Sequence, residues 1–104
     1  MINVLFLCTH NSARSVIAEV LLNTLGRGKF IGFSAGSSPK TEINPIAKEI
    51  AAEMRYDNKK LYSKSWDEFS KPNSQKMHII ITVCDSAAKE VCPIWPGHPL
   101  QVHW

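Results

Sequence analysis

Two kinds of hydrophobic spacing alternate along this chain, and their order sets the expected fold. Val4–Leu7 is an unbroken apolar run, as in a strand buried on both faces. After a polar loop from Cys8 to Arg14, apolar residues Ile17, Ala18, Leu21, Leu22 and Leu25 recur at helical spacing, and Gly26 supplies a stop. Phe30–Ala35 predicts a second short strand, followed by the turn-rich run Gly36-Ser37-Ser38-Pro39. Asn44 caps and Pro45 opens a second helix with the stripe Ile46, Ala47, Ile50, Ala51 and Met54. Ser65 with Glu68 predicts a capping box on a short third helix that carries Trp66 and Phe69 and stops at Pro72. Ile79–Val83 predicts a third buried strand ending at Cys84, and Asp85–Val91 one or two helical turns. Cys92–Gly97 reads as loop and Leu100–Trp104 as a fourth strand.

Strands alternating with helices predict an α/β fold of three layers around a four-stranded parallel sheet, one domain over residues 1–104. Open parallel sheets bind ligands at the carboxyl ends of their strands. Cys8 and Cys84 both stand at such ends.

Composition narrows the class without naming a chemistry. With 44% hydrophobic and 20% charged residues, the 104-residue chain has the balance of a globular protein. A net charge of +3 suits an anionic substrate but is too mild and dispersed to indicate nucleic acid. The basic pairs Arg27/Lys29 and Lys59/Lys60 read as solvated surface. Met1 leads straight into strand-like sequence with no basic leader, and no apolar run has the ~18 residues a membrane span needs. Three cysteines are too few for a secreted disulfide scaffold, so a cytoplasmic location with reduced thiols is expected.

The loop after the first strand carries the chemistry. A strand-to-helix loop directs unpaired backbone N–H groups and the positive end of the helix dipole at one small volume. The oxyanion-binding residues expected there are Thr9, His10, Asn11, Ser12, Ala13 and Arg14, with the Arg14 guanidinium adding a fork for two oxygens. The same field favours the thiolate of Cys8, and Ser15 is placed to donate to the sulfur. Asn11 suits a left-handed turn whose side chain ties the loop together. Cysteine, five residues and arginine recur by chance, but much less often between a buried strand and a helix.

These residues resemble a family. Cys8-Thr9-His10-Asn11-Ser12-Ala13-Arg14-Ser15, followed by Ala18-Glu19, is similar to the phosphate-binding loop of low-molecular-weight protein tyrosine phosphatases. Ser34-Ala35-Gly36-Ser37, Asn44-Pro45, Ser63-Lys64-Ser65-Trp66 and Thr82-Val83-Cys84-Asp85 through Cys92-Pro93 resemble the arsenate reductase branch of that superfamily. The resemblance covers essentially the whole chain. It implies a thiol relay in which Cys8 attacks arsenic, Cys84 attacks Cys8 and releases arsenite, and Cys92 takes over Cys84. Thioredoxin or a similar external thiol donor then reduces the Cys84–Cys92 disulfide, with no bound cofactor. Arsenate reduction supplies the two-electron sink that one dithiol matches. The alternatives are a tyrosine phosphatase acting through a Cys8 phosphoenzyme, and a non-catalytic oxyanion-binding domain.

Two features of the resemblance are modified in this chain. Glu19, Asn11 and Ser34 match positions that bind potassium in some of these reductases, but Lys64 stands near the remaining cation ligands. Its ammonium is expected to replace the ion, so no metal is expected. The spacing of Cys8, Cys84, Cys92 and His98 likewise matches no zinc pair. The superfamily also carries an Asp-Pro acid loop and a final helix beyond the fourth strand, whereas this sequence stops at Trp104. A positioned acid contributes ~10²–10⁴-fold in rate. The expectation is therefore either a C-terminally truncated chain with weakened turnover, or a sheet face covered by another subunit. His10 is balanced between loop surface and substrate contact, His78 is expected to be structural, and His98 and His103 are expected at the surface. Trp66, Phe69, Phe30 and Phe33 are expected in the core, with Trp95 covering the Cys84–Cys92 segment.

Overall fold

A computed structural model describes residues 1–11, 13–39, 42–71, 74–83, 97 and 99–103. The four expected strands form: β1 (Ile2–Cys8), β2 (Phe30–Gly36), β3 (Ile79–Thr82) and β4 (Leu100–His103). They make one parallel sheet in the order β2-β1-β3-β4. The α/β fold with a four-stranded parallel sheet is thus as expected from the alternating pattern, and β1 and β3 are neighbours. The helices are α1 (Arg14–Leu25), α2 (Pro45–Glu53) and the single turn α3 (Asp67–Ser70). The expected Asp85–Val91 turns, the stop at Pro72, Trp95 and His98 lie outside the described residues.

The sheet has two unlike faces. Leu5, Leu7, Ala35 and Ile80 meet Met77 on one side, with Phe33, Trp66 and Phe69 packed against them. Phe33 and Phe69 meet edge-on, 5.7 Å between ring centroids. On the other side α1 lies so close to β2 that a Cβ on Gly32 would come within 3.2 Å of the Glu19 carbonyl oxygen and 3.3 Å of Leu22. Register aligns Val4, Ile79 and Leu100, and then Phe6, Ile81 and Val102, on this α1 side. Along β4, Leu100 is 63% and Val102 41% exposed among the described residues.

Helix faces depart from the expected stripes. In α1 the buried residues are Ser15, Val16, Glu19 and Val20, while Leu21 and Leu25 are exposed. The helix sits over the edge of the sheet, so its polar residues turn inward and two leucines turn out. In α2 only Ala47 and Ala51 of the expected stripe are buried, and Ile46 faces solvent. Small residues permit close contact, and Ala47 joins Val16 and Ile43 in a second core cluster. The Asn44 cap forms as expected, its Oδ1 accepting from the Ile46 N–H at 2.9 Å. The expected Ser65/Glu68 box does not form: Trp66 occupies the cap position, Ser65 Oγ accepts from the Asp67 N–H in a local turn, and Glu68 accepts from the Tyr62 hydroxyl.

An edge strand exposes main-chain groups that must be answered. At Gly32 in β2 the answer is one side chain: Asn23 Oδ1 accepts from the Gly32 N–H at 2.7 Å, and Asn23 Nδ2 donates to the Gly32 carbonyl at 2.9 Å. The carboxamide acts as a one-residue neighbouring strand. Asn23→Ala is expected to lower stability by about 1–3 kcal/mol, the cost of unmade bonds to partly buried polar groups, measurable by denaturant unfolding with an unchanged m-value.

Candidate active site

The candidate site is built where β1 hands over to α1. Cys8 is the last residue of β1, and Arg14 opens α1 after a loop through Thr9, His10, Asn11 and Ala13. Ser12 lies outside the described residues. Ala13 occupies the cap position of α1 and offers no side-chain acceptor, and no acidic residue stands in the first helical turn. Among the described residues, no capping side chain therefore consumes the first N–H groups of the helix.

Asn11 holds the loop in shape. It is fully buried and adopts φ 48, a left-handed conformation that asparagine tolerates better than most residues. Its Nδ2 donates to Ser15 Oγ at 2.9 Å, and its Oδ1 accepts from the Lys64 N–H at 2.8 Å. Two further bonds fasten the outside of the loop. Ser63 Oγ donates to the His10 carbonyl at 2.9 Å, and the Ser38 N–H donates to the Thr9 carbonyl at 2.8 Å.

Gly36 is the sterically demanding position. A Cβ there would fall 2.5 Å from the Thr9 carbonyl oxygen, 2.9 Å from that of Cys8 and 3.0 Å from the Asn11 nitrogen. The Gly36 N–H and carbonyl meanwhile pair with the Lys64 carbonyl and the Trp66 N–H, both at 2.9 Å. This glycine thus lets the 64–66 segment, β2 and the Cys8 loop share one small volume.

Arg14 takes a role that its sequence position did not indicate. Its Nη1 donates to the Val83 carbonyl at 3.1 Å, spanning from the start of α1 to the residue after β3. The Val83 N–H in turn donates to the Leu7 carbonyl at 2.8 Å. Val83 immediately precedes Cys84, and Cys84 and Cys92 lie outside the described residues. Of the expected site residues, the structure gathers Cys8, Thr9, His10, Asn11, Ala13, Arg14 and Ser15 around the β1–α1 junction. Cys8 and Thr9 are partly exposed, while His10 and Arg14 face solvent.

With that geometry in place, comparison with known proteins is decisive. Residues 3–102 match the family described as low molecular weight phosphotyrosine protein phosphatase. The chain belongs to this family.

Within it, similarity runs to arsenate reductases. The Halalkalibacterium halodurans arsenate reductase is 34% identical over 105 residues, covering 95% of this chain and 68% of its own length. The Brevibacillus brevis arsenate reductase is 34% identical over 99 residues, covering 95% of this chain and 70% of its own. Among solved structures, an arsenate reductase in the phosphate binding state superposes with a TM-score of 0.76 at 27% identity, covering all of this chain and 76% of that one. A thioredoxin-dependent arsenate reductase from Corynebacterium glutamicum superposes at 0.72 and 29% identity. This chain spans 49% of the length of that Corynebacterium protein.

The residues for which the resemblance implied a potassium site are engaged within the chain. Glu19 is buried on α1, and its Oε1 accepts from Ser34 Oγ at 2.7 Å and lies 3.5 Å from Lys64 Nζ. Its Oε2 accepts from the Tyr56 hydroxyl. The Asn11 carboxamide is already engaged at both ends. Charge and donors are therefore satisfied within the chain, and these residues do not fit a potassium ion. Burial and the neighbouring Glu19 carboxylate push the Tyr56 phenol well above its usual range, so it remains a proton donor to Glu19. Burial also raises Tyr62, assisted by Glu68.

Gly36, Ser63 and Tyr56 were not singled out from sequence as site residues. A glycine at the carboxyl end of a strand preceding a Ser-rich turn is a usable signal for the first. Nothing local marks Tyr56, which reaches Glu19 across 37 residues. His78 proves structural, its Nδ1 accepting from the Asn3 N–H at 2.8 Å. His103 lies at the exposed end of β4, its Nδ1 2.8 Å from Thr82 Oγ1.

Three outcomes are expected. Gly36→Ala forces the Cys8 loop to move, costs about 1–3 kcal/mol of stability, and weakens phosphate binding by calorimetry more than it lowers the melting temperature would suggest. The melting temperature of the natural chain is the same in potassium chloride as in choline chloride at equal ionic strength. Lys64→Met loses about 3–5 kcal/mol, because it strands a buried carboxylate.

Proposed function

We propose that this chain reduces arsenate to arsenite, with Cys8 as the nucleophile and Cys84 and Cys92 as a disulfide relay. The observation that carries the relay is the junction of β1 and β3. Leu7 pairs with Thr82, and Arg14 binds the Val83 carbonyl, so the strand leading to Cys84 ends beside the Cys8 loop. The similarity to arsenate reductases, one of them thioredoxin-dependent and another in a phosphate-binding state, supports the substrate class and the donor.

In the proposed sequence an arsenate oxyanion is received by the N–H groups of the Cys8–Arg14 loop. The α1 dipole that favours this anion also favours the Cys8 thiolate, with the Ser15 hydroxyl as its hydrogen-bond donor. Cys8 Sγ bonds to arsenic, and one arsenic–oxygen bond breaks, the oxygen leaving as water after protonation. Cys84 thiolate then attacks Cys8 Sγ. A sulfur–sulfur bond forms, the sulfur–arsenic bond breaks, and its electron pair stays on arsenic, which falls from As(V) to As(III). Cys92 attacks Cys84, leaving a Cys84–Cys92 disulfide and a restored Cys8 thiolate. An external dithiol of the thioredoxin type removes that disulfide, so the electrons come from no bound cofactor. A chemistry that cycles thiols in this way suits a reducing cytoplasm.

Thioredoxin-coupled NADPH oxidation that depends on arsenate is the direct measurement. Cys8→Ser, Cys84→Ser and Cys92→Ser are each expected to abolish multiple turnover. Cys92→Ser should still release one arsenite per chain in a single-turnover experiment and accumulate a Cys8–Cys84 disulfide. Hydrolysis of an aryl phosphate that survives both Cys84→Ser and Cys92→Ser, without arsenate reduction, would instead establish a phosphatase. Phosphate-induced stabilisation with no turnover of either kind would establish an oxyanion-binding domain.

A further inference from the structure

We infer a second ligand site in the cavity that wraps the outer edge of β2, and we assign it to a small planar aromatic bearing a single carboxylate. The cavity has a volume of about 450 Å³ and is lined by parts of α1, β2, the 56–64 segment and α3. No described residue of the Cys8–Arg14 loop lines it, so its opening is distinct from the Cys8 loop, although Glu19, Tyr56 and Lys64 border both the cavity and the network beneath that loop. Its size lies within the range of small-molecule sites and leaves room for a substituted aromatic ring.

The wall chemistry selects the ring. Phe33, Phe69, Tyr56 and Tyr62 all contribute surface. Phe33 and Phe69 are locked edge-to-face, Lys64 Nζ sits 4.5 Å from the Tyr62 ring centroid, and the Tyr56 hydroxyl is bonded to Glu19 and Asn23, so all four rings are held before any ligand arrives. Tyr62 nevertheless remains 49% exposed. Rigid, partly exposed rings bind another aromatic surface with little ordering cost.

The charges select the anion. Lys59 and Lys60 line the cavity and are exposed, and among the described residues neither makes an ion pair. Lys64 and Glu19 cancel one another at 3.5 Å, and Glu68, which accepts from the Tyr62 hydroxyl, keeps its charge and offsets one of the two exposed lysines, so the lining keeps one net positive charge. The lining holds no arginine, so nothing here presents the planar fork that grips a phosphate by two oxygens. Lysines act as point charges, which suits a monoanionic carboxylate. A phosphate-like dianion is better served by the Cys8 loop.

The test uses 4-fluorophenylacetate and its neutral methyl ester as probes, followed by ¹⁹F line broadening on the full chain. Saturable binding of the acid is expected, with the same affinity in saturating phosphate and in Cys8→Ser. Lys59→Ala/Lys60→Ala, two exposed positions outside the core, should weaken it about tenfold, the equivalent of one charge-assisted contact. The ester should bind at least as weakly to the natural chain. Loss of binding on adding phosphate would assign the probe to the Cys8 loop and overturn the proposal. Equal affinity of acid and ester, an unaffected double variant, or no saturable binding would each overturn it as well. None of these results depends on whether the chain reduces arsenate.

Discussion

The carboxamide of Asn11 is the interaction on which the candidate site depends. One end holds Ser15 on α1 and the other holds the main chain at Lys64, while its own backbone sits at φ 48. A left-handed residue inside a loop costs about 1–2 kcal/mol for an ordinary side chain. Here that strain is met by two hydrogen bonds from a fully buried carboxamide, where leaving either group unpaired would cost more. The described part of the loop is therefore fixed by its own bonds, beside a helix N-terminus that no described side chain caps. Preorganisation of this kind lets N–H groups stabilise an anion without rearranging.

A second constraint lies behind the first. Glu19 is buried beneath α1, and a lone carboxylate there would be expensive. Lys64, Ser34 and Tyr56 together satisfy it, so one acid joins α1, β2 and the segment that supplies the Asn11 acceptor contact. Lys64 works twice: its ammonium answers Glu19, and its main-chain N–H answers Asn11. Geometry of the loop and electrostatics of the helix underside are thereby coupled through a single residue. Beside the Glu19 carboxylate the chain places its own cation, the Lys64 ammonium.

How far the fold could be read from sequence differs by element. Strands were legible because an apolar run such as Val4–Leu7 bounded by polar loops has few other uses, whereas their order β2-β1-β3-β4 came from the structure. Caps such as Asn44 were legible because their chemistry is local. Helix faces were not. Leu21 and Leu25 looked like core, yet α1 lies over a sheet edge and buries Ser15 and Glu19 instead. Periodicity reports that a face exists; it does not say that a carboxylate on that face will find a lysine 45 residues away. Ile46 was misassigned for a related reason, since Ala47 and Ala51 permit a closer approach than a larger residue would.

By itself the sequence determined the chemistry at the β1–α1 turn: a thiol, an asparagine able to turn left-handed, and an arginine opening a helix that carries no acidic first turn. Those are properties of residue type and local order, and short-range physics suffices to establish them. Tertiary structure alone decided what those groups face. The Gly36 approach, the Asn11–Lys64 contact and the Arg14–Val83 bond each join residues more than twenty positions apart. Which of many possible partners lies at hydrogen-bond distance depends on how the whole sheet packs, and no local pattern encodes that.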